Sequence, residues 1–144
     1  MNVRPGLHAI PIVALASLLF VAPSAVAEDS DYEAMKNVQS TRTAFDFRIA
    51  DPKVALSHLE LIHDMVDDPA MQTREGSPEI AVVFIGPSVN LVSTDDTGVG
   101  ESSKKEIARK IRVMDDDGIR FVICMVAAGV HDVSSESVLP EIDQ

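Results

Sequence analysis

"IAVVFIGPS", residues 80–88, is the stretch on which the fold turns. Residues 80–85 are apolar throughout, which is the pattern of a parallel strand covered on both faces. Gly86-Pro87 turns the chain at the end of that strand, and "SVNLVS" (88–93) has the length of one or two helical turns.

Upstream, "PKVALSHLELIHDMVDD" (52–68) puts Ala55, Leu59, Ile62 and Val66 on one stripe, widened by Val54, Leu61 and Met65. That spacing predicts an amphipathic helix against a sheet. Before it, "AFDFRIAD" (44–51) alternates, with Phe45, Phe47 and Ile49 on one side and Asp46 and Arg48 on the other. A period of two marks a strand, stopped by Asp51-Pro52, and Pro52 suits the first turn of the helix. Residues 68–79, rich in breakers, form a loop.

Downstream, "TDDTGVGESS" (94–103) is a loop and "ESSKKEIARKIRVMDDDG" (101–118) a second long helix. Its inner stripe is Ile107, Ala108, Ile111 and Met114, and Glu106 and Lys110 form an outer ion pair at i, i+4. Gly118 ends it, and "IRFVICMV" (119–126) is a third strand. Strand, helix, strand, helix, strand is the order of an α/β fold, a mostly parallel sheet with helices on both faces.

The first 27 residues stand apart from that pattern. Arg4 precedes an apolar run at 9–22, and Ala25 and Ala27 have the spacing of a signal-peptidase site. The run is shorter than the roughly 20 residues of a spanning helix. The expectation is a cleaved secretory signal (1–27), a polar arm (28–43) and one α/β domain (44–144), soluble and periplasmic. A net charge of −11 argues against a nucleic-acid partner and against an anionic membrane surface for the mature form. The single cysteine, Cys124, excludes an intrachain disulfide and leaves a buried thiol, an intermolecular bridge or a reactive site.

In an open parallel sheet, ligands bind beyond the carboxyl ends of the strands. Three segments reach that edge, carrying Asp51, then Gly86 and Ser88, then Cys124. Cys124 is the candidate nucleophile, with Asp51, Gly86 and Ser88 as weaker ligand-binding candidates. If a helix starts after Cys124, its N–H groups favour the thiolate. Against this, cysteine is also a common small core residue.

Other groups carry less. His58 and His63 are five apart, which misses the i, i+4 spacing of a metal pair, so a core or subunit-contact role suits His58 better. His131-Asp132 follows Cys124 by seven residues and supplies a base only if its loop folds back; a solvated pair is the simpler reading. "DDDG" (115–118) lacks the alternation of a calcium loop, and Ser88 lacks a G-x-S-x-G frame. No metal or cofactor is implied.

From about Phe45 onward the chain resembles the DsrE/DsrF-like family, specifically its exported single-domain members. The resemblance rests on Gly86, Pro87 and Val89, on Leu91-Val-Ser-Thr-Asp95, on the cysteine ending "RFVIC", and on "LPEI" (139–142). It implies a three-layer α/β/α flavodoxin-like domain and homo-oligomers, trimers or hexamers. It also implies a cysteine that carries sulfane sulfur as a persulfide between donor and acceptor proteins, and only Cys124 maps onto that cysteine. The family continues past "LPEI" through a turn, a helix and a final strand, whereas this sequence stops at Gln144. The expected sheet therefore ends at the third strand. Two functions remain in view: a sulfur carrier using Cys124, or a non-enzymatic oligomeric module binding a small ligand or partner.

Overall fold

A computed structural model describes residues 37–73 and 76–144. The expected signal segment and most of the polar arm lie outside the described residues. The elements are β1 (Arg42–Phe47), α1 (Pro52–Asp67), β2 (Glu79–Phe84), a 3₁₀ helix (Gly86–Val92), α2 (Glu101–Asp116), β3 (Arg120–Ile123), α3 (Met125–Val130), a 3₁₀ turn (Ser135–Ser137) and β4 (Ile142–Asp143). The four strands are all parallel, in the order β1-β2-β3-β4. This is an α/β fold, consistent with the flavodoxin-like class.

The register aligns Phe47, Phe84 and Ile123 at one level, and Phe45, Val82, Phe121 and Ile142 two residues earlier. The rings of Phe47 and Phe84 meet edge to face at 5.3 Å, and Phe84 stacks on Phe121 at 6.2 Å. On this sheet face Phe47, Val82, Phe84, Phe121, Ile123 and Ile142 are buried with Leu59 and Ile62 of α1 and Ile107, Ile111 and Met114 of α2 in one core, and Phe45 packs against it half-buried. Consecutive strands joined by right-handed crossovers put their helices on the same side. The side chains of the other face, including Ala44, Asp46, Val83 and Val122, are half-buried or exposed. A second helical layer is not seen among the described residues.

Local chemistry sets the element ends. Asp51 is the N-cap of α1: its Oδ1 accepts from Lys53 N at 3.0 Å and Val54 N at 2.9 Å, and Pro52 occupies the first helical turn. Gly86 has φ +62°, so the turn out of β2 uses a conformation that side chains with a Cβ rarely adopt.

Two expectations need correction. The third strand stops at Ile123, because Cys124 is already the N-cap of α3 and "MVAAGV" is helical. The sheet does not end there either: Ile142 and Asp143 pair with Phe121 and Val122 as β4. The segment before β4 is tied to the body, with Leu139 N donating to Val92 O at 3.0 Å and Val138 bridging to Ser93. Among the described residues, Ile142, the last residue of "LPEI", and Asp143 thus provide an edge strand that the sequence reading did not expect.

Candidate functional site

Cys124 sits one residue beyond β3, a strand flanked by β2 and β4. Its N–H donates to Phe84 O at 2.9 Å, continuing the sheet ladder, and its carbonyl accepts from Ala128 N at 2.9 Å, opening α3. The residue is half-buried, and its sulfur makes no capping hydrogen bond. The first-turn N–H groups of Met125, Val126 and Ala127 precede any intrahelical acceptor, so they are open at the end of α3 where Cys124 lies. Around it the surface is apolar: Met125, Val126 and Val130 are exposed, Val126 by 78%.

The other expected ligand residues do not converge with the thiol as polar groups. Asp51 is at the carboxyl end of β1, but its carboxylate is engaged by the α1 N–H groups that it caps. Ser88 is fully buried, with Oγ at 2.6 Å from Phe47 O and 3.1 Å from Ile85 O. It ties the 3₁₀ helix to the end of β1 and offers nothing to solvent. Gly86 shapes the turn. All three are at the correct edge of the sheet, and their polar chemistry is structural.

One residue that sequence reasoning passed over is Arg48. It follows Phe47 as Ile85 follows Phe84 and Cys124 follows Ile123, so the three share a level one step beyond the last paired row. With strands about 4.8 Å apart, Arg48 and Cys124 are roughly 10 Å apart at the backbone, within reach of an arginine side chain. Its guanidinium forks onto Asp46, Nε–Oδ1 at 2.7 Å and Nη2–Oδ2 at 2.9 Å. Arg48 is held above its ordinary pKa first by that hydrogen bond, then by the Asp46 charge, and last by the charge of a Cys124 thiolate, with burial opposing. Asp46 is correspondingly lowered, chiefly by the hydrogen bond from Arg48. The clue in the sequence was the alternation of β1 combined with parallel register, which brings position 48 level with 124.

The histidines take structural positions. His58 is exposed on α1, its Nδ1 at 2.9 Å from Val54 O, so it is not a core residue. His63 bridges α1 and α2, with Nε2 at 2.7 Å from Asp117 Oδ2 and Nδ1 at 2.9 Å from Lys110 Nζ. A lysine ammonium only donates, so Nδ1 accepts and Nε2–H donates to Asp117. His131 is the C-cap of α3, its N–H bonded to Ala127 O and Ala128 O, and Asp132 follows with φ 55°. A six-residue helix spans about 9 Å, which holds His131 away from the thiol.

Two cavities are relevant by position. One of about 450 Å³ lies at the amino ends of the strands between Arg42, Ala44, Ala81 and Arg120, the opposite end from Cys124. Open parallel sheets run their chemistry at the carboxyl end, so its size alone does not make it the site. The other, about 260 Å³, lies between β1 and α1. Among the described residues, no group of three or more potential ligands is arranged to hold a metal ion, and no helix is long and apolar enough to cross a membrane. No family model, no curated protein and no solved structure matches this chain, so the likeness to DsrE/DsrF-like proteins rests on the sequence motifs alone.

Proposed function

We propose that the protein is a sulfur carrier that holds sulfane sulfur as a persulfide on Cys124, in the exported, periplasmic setting that residues 1–27 suggest. The observation that carries this reading is the thiol's position. It is half-buried at the carboxyl end of an interior strand, with no capping bond on its sulfur and with Arg48 within its electrostatic reach. The resemblance of "RFVIC" to the cysteine segment of the DsrE/DsrF-like family points the same way.

The chemistry balances without a redox partner. The Cys124 thiolate attacks the outer sulfur of a polysulfide or thiosulfate, forming a new S–S bond. The old S–S bond breaks, and the shortened polysulfide or sulfite leaves with its electron pair. An acceptor thiolate then attacks the outer sulfur of Cys124–S–S⁻ and regenerates the Cys124 thiolate. Open first-turn N–H groups and the Arg48 guanidinium suit an anionic sulfur at this position.

A second reading, a non-enzymatic oligomeric binding module, is favoured by the apolar surface of Met125, Val126 and Val130 beside the thiol. Alkylation under native conditions separates the two. A carrier thiol reacts with iodoacetamide in the folded protein, whereas reaction only after unfolding in denaturant assigns Cys124 to packing.

A further inference from the structure

We infer that the outer edge of β1 pairs antiparallel with β1 of a second copy, about a two-fold axis at Phe47, making one continuous sheet. This goes beyond the sulfur-carrier reading and stands independently of it. Among the described residues β2 is the only strand that pairs with β1, and no described residue pairs with its outer edge. Thr41 O and Phe47 O accept from Glu79 N and Ile85 N, which turns the odd-numbered residues toward β2. In a parallel ladder the alternate residues Arg42, Ala44 and Asp46 then aim both N–H and C=O outward, and the N–H of Arg48, opposite the Phe47 carbonyl that faces β2, points outward just past the strand.

Side chains choose the register. A two-fold axis at Phe45 sets Arg42 against Arg48 of the other copy, and an axis at Asp46 sets that carboxylate against itself. Directly opposed like charges are unfavourable. An axis at Phe47 instead pairs Asp46 with Arg48 of the other copy, twice by symmetry, and sets Phe45 against Ile49. The outward N–H and C=O groups of Asp46 then exchange hydrogen bonds with Arg48 of the other copy.

An axis at Ala44 also opposes Arg42 to Asp46, but the cavity decides between these two. The groove of about 260 Å³ runs beside residues 45–49, centred on Phe47, and is walled by His58, Leu61, Ile62 and Met65 of α1. Leu61 is 63% exposed there. Phe45 and Ile49 of a second copy would lie along this groove, with His58 at the subunit contact. Strand addition beside a helix is an established mode of association, and a self-complementary patch closes into a dimer. The charges serve specificity as well. In a chain of net charge −11, Arg48 and Asp46 make this edge locally neutral.

Sedimentation velocity of the purified protein at about 50 µM tests the pairing, together with amide hydrogen exchange. The wild type is expected to sediment at twice the chain mass. Asp46→Arg should raise the dimer dissociation constant about tenfold or more, and Asp46→Arg combined with Arg48→Asp should restore it. The amides of Asp46 and Arg48 should gain protection as concentration rises. A wild-type monomer overturns the inference. So does a dimer that ignores Asp46→Arg, or one whose Asp46 and Arg48 amides exchange as freely as in dilute protein. The exchange readout needs no variant, so it decides the matter even if a charge reversal misfolds.

Discussion

Ser88 Oγ lies 2.6 Å from the carbonyl oxygen of Phe47, a contact across 41 residues of chain that closes the carboxyl edge of β1 onto the 3₁₀ helix after β2. Ser88→Ala should therefore lower stability by about 1 kcal/mol, since the Phe47 carbonyl keeps its bond from Ile85 N–H. Urea midpoints measure it. Sulfur uptake at Cys124 should be unchanged in this variant, and a selective loss of uptake would return Ser88 to the site.

Asp51 is expected to behave in the same structural way. Asp51→Ala removes the cap from α1 and should cost about 1 kcal/mol, while Asp51→Ser or Asp51→Asn should restore most of it. Thermal unfolding of the three variants checks this. Equal destabilisation by all three would mean that the carboxylate acts through something other than capping.

Asp95 gives an acid-side signature. Its pKa is lowered from the ordinary 3.8 first by the backbone N–H of Ser134, then by the hydroxyls of Ser137 and Ser134, with Lys104 adding its charge. A carboxyl depressed in the folded state contributes stability that is fully present above 3.8 and is lost as pH falls through the lower folded value. Asp95→Asn should accordingly be less stable than wild type near neutrality and should show a shallower decline on acidification. Chemical unfolding at a series of pH values from about 6 downward compares the two slopes, and parallel curves would contradict the assignment.

Arg48 should set how fast an anionic sulfur donor reaches the thiol. Arg48→Ala is expected to slow sulfur loading from polysulfide by roughly two- to tenfold at low salt. The gap should narrow near 1 M salt, where the Debye length is about 3 Å. Both proteins are compared at a concentration where they have the same oligomeric state. Equal rates at low salt would remove Arg48 from the account.

What the sequence made legible follows from which forces leave a mark on it. The strand at 80–86 was plain because one face is buried in the core and the other is half-buried, which keeps the run apolar, and α1 and α2 announced themselves by their stripes. The start of α3 was hidden because its N-cap is Cys124 and its body is apolar, so hydropathy continues through a change of backbone conformation. β4 is two residues long and has no period to read. Asp51 and Ser88 looked like site residues for the reason that makes them good structural ones: short polar side chains satisfy the backbone at element ends. The expected Glu106–Lys110 pair is replaced by Glu101–Lys105 at 3.2 Å, because Lys110 reaches His63 on the neighbouring helix. Pairings between elements are invisible to spacing within one.

Mass spectrometry of the native protein after incubation with polysulfide, beside Cys124→Ser, tests the central claim most directly. The sulfur-carrier account predicts mass increments of about 32 Da per sulfur atom on the peptide containing Cys124, removed by dithiothreitol and absent from Cys124→Ser. A native protein that gains no sulfur while a free thiol in the same mixture does would contradict it.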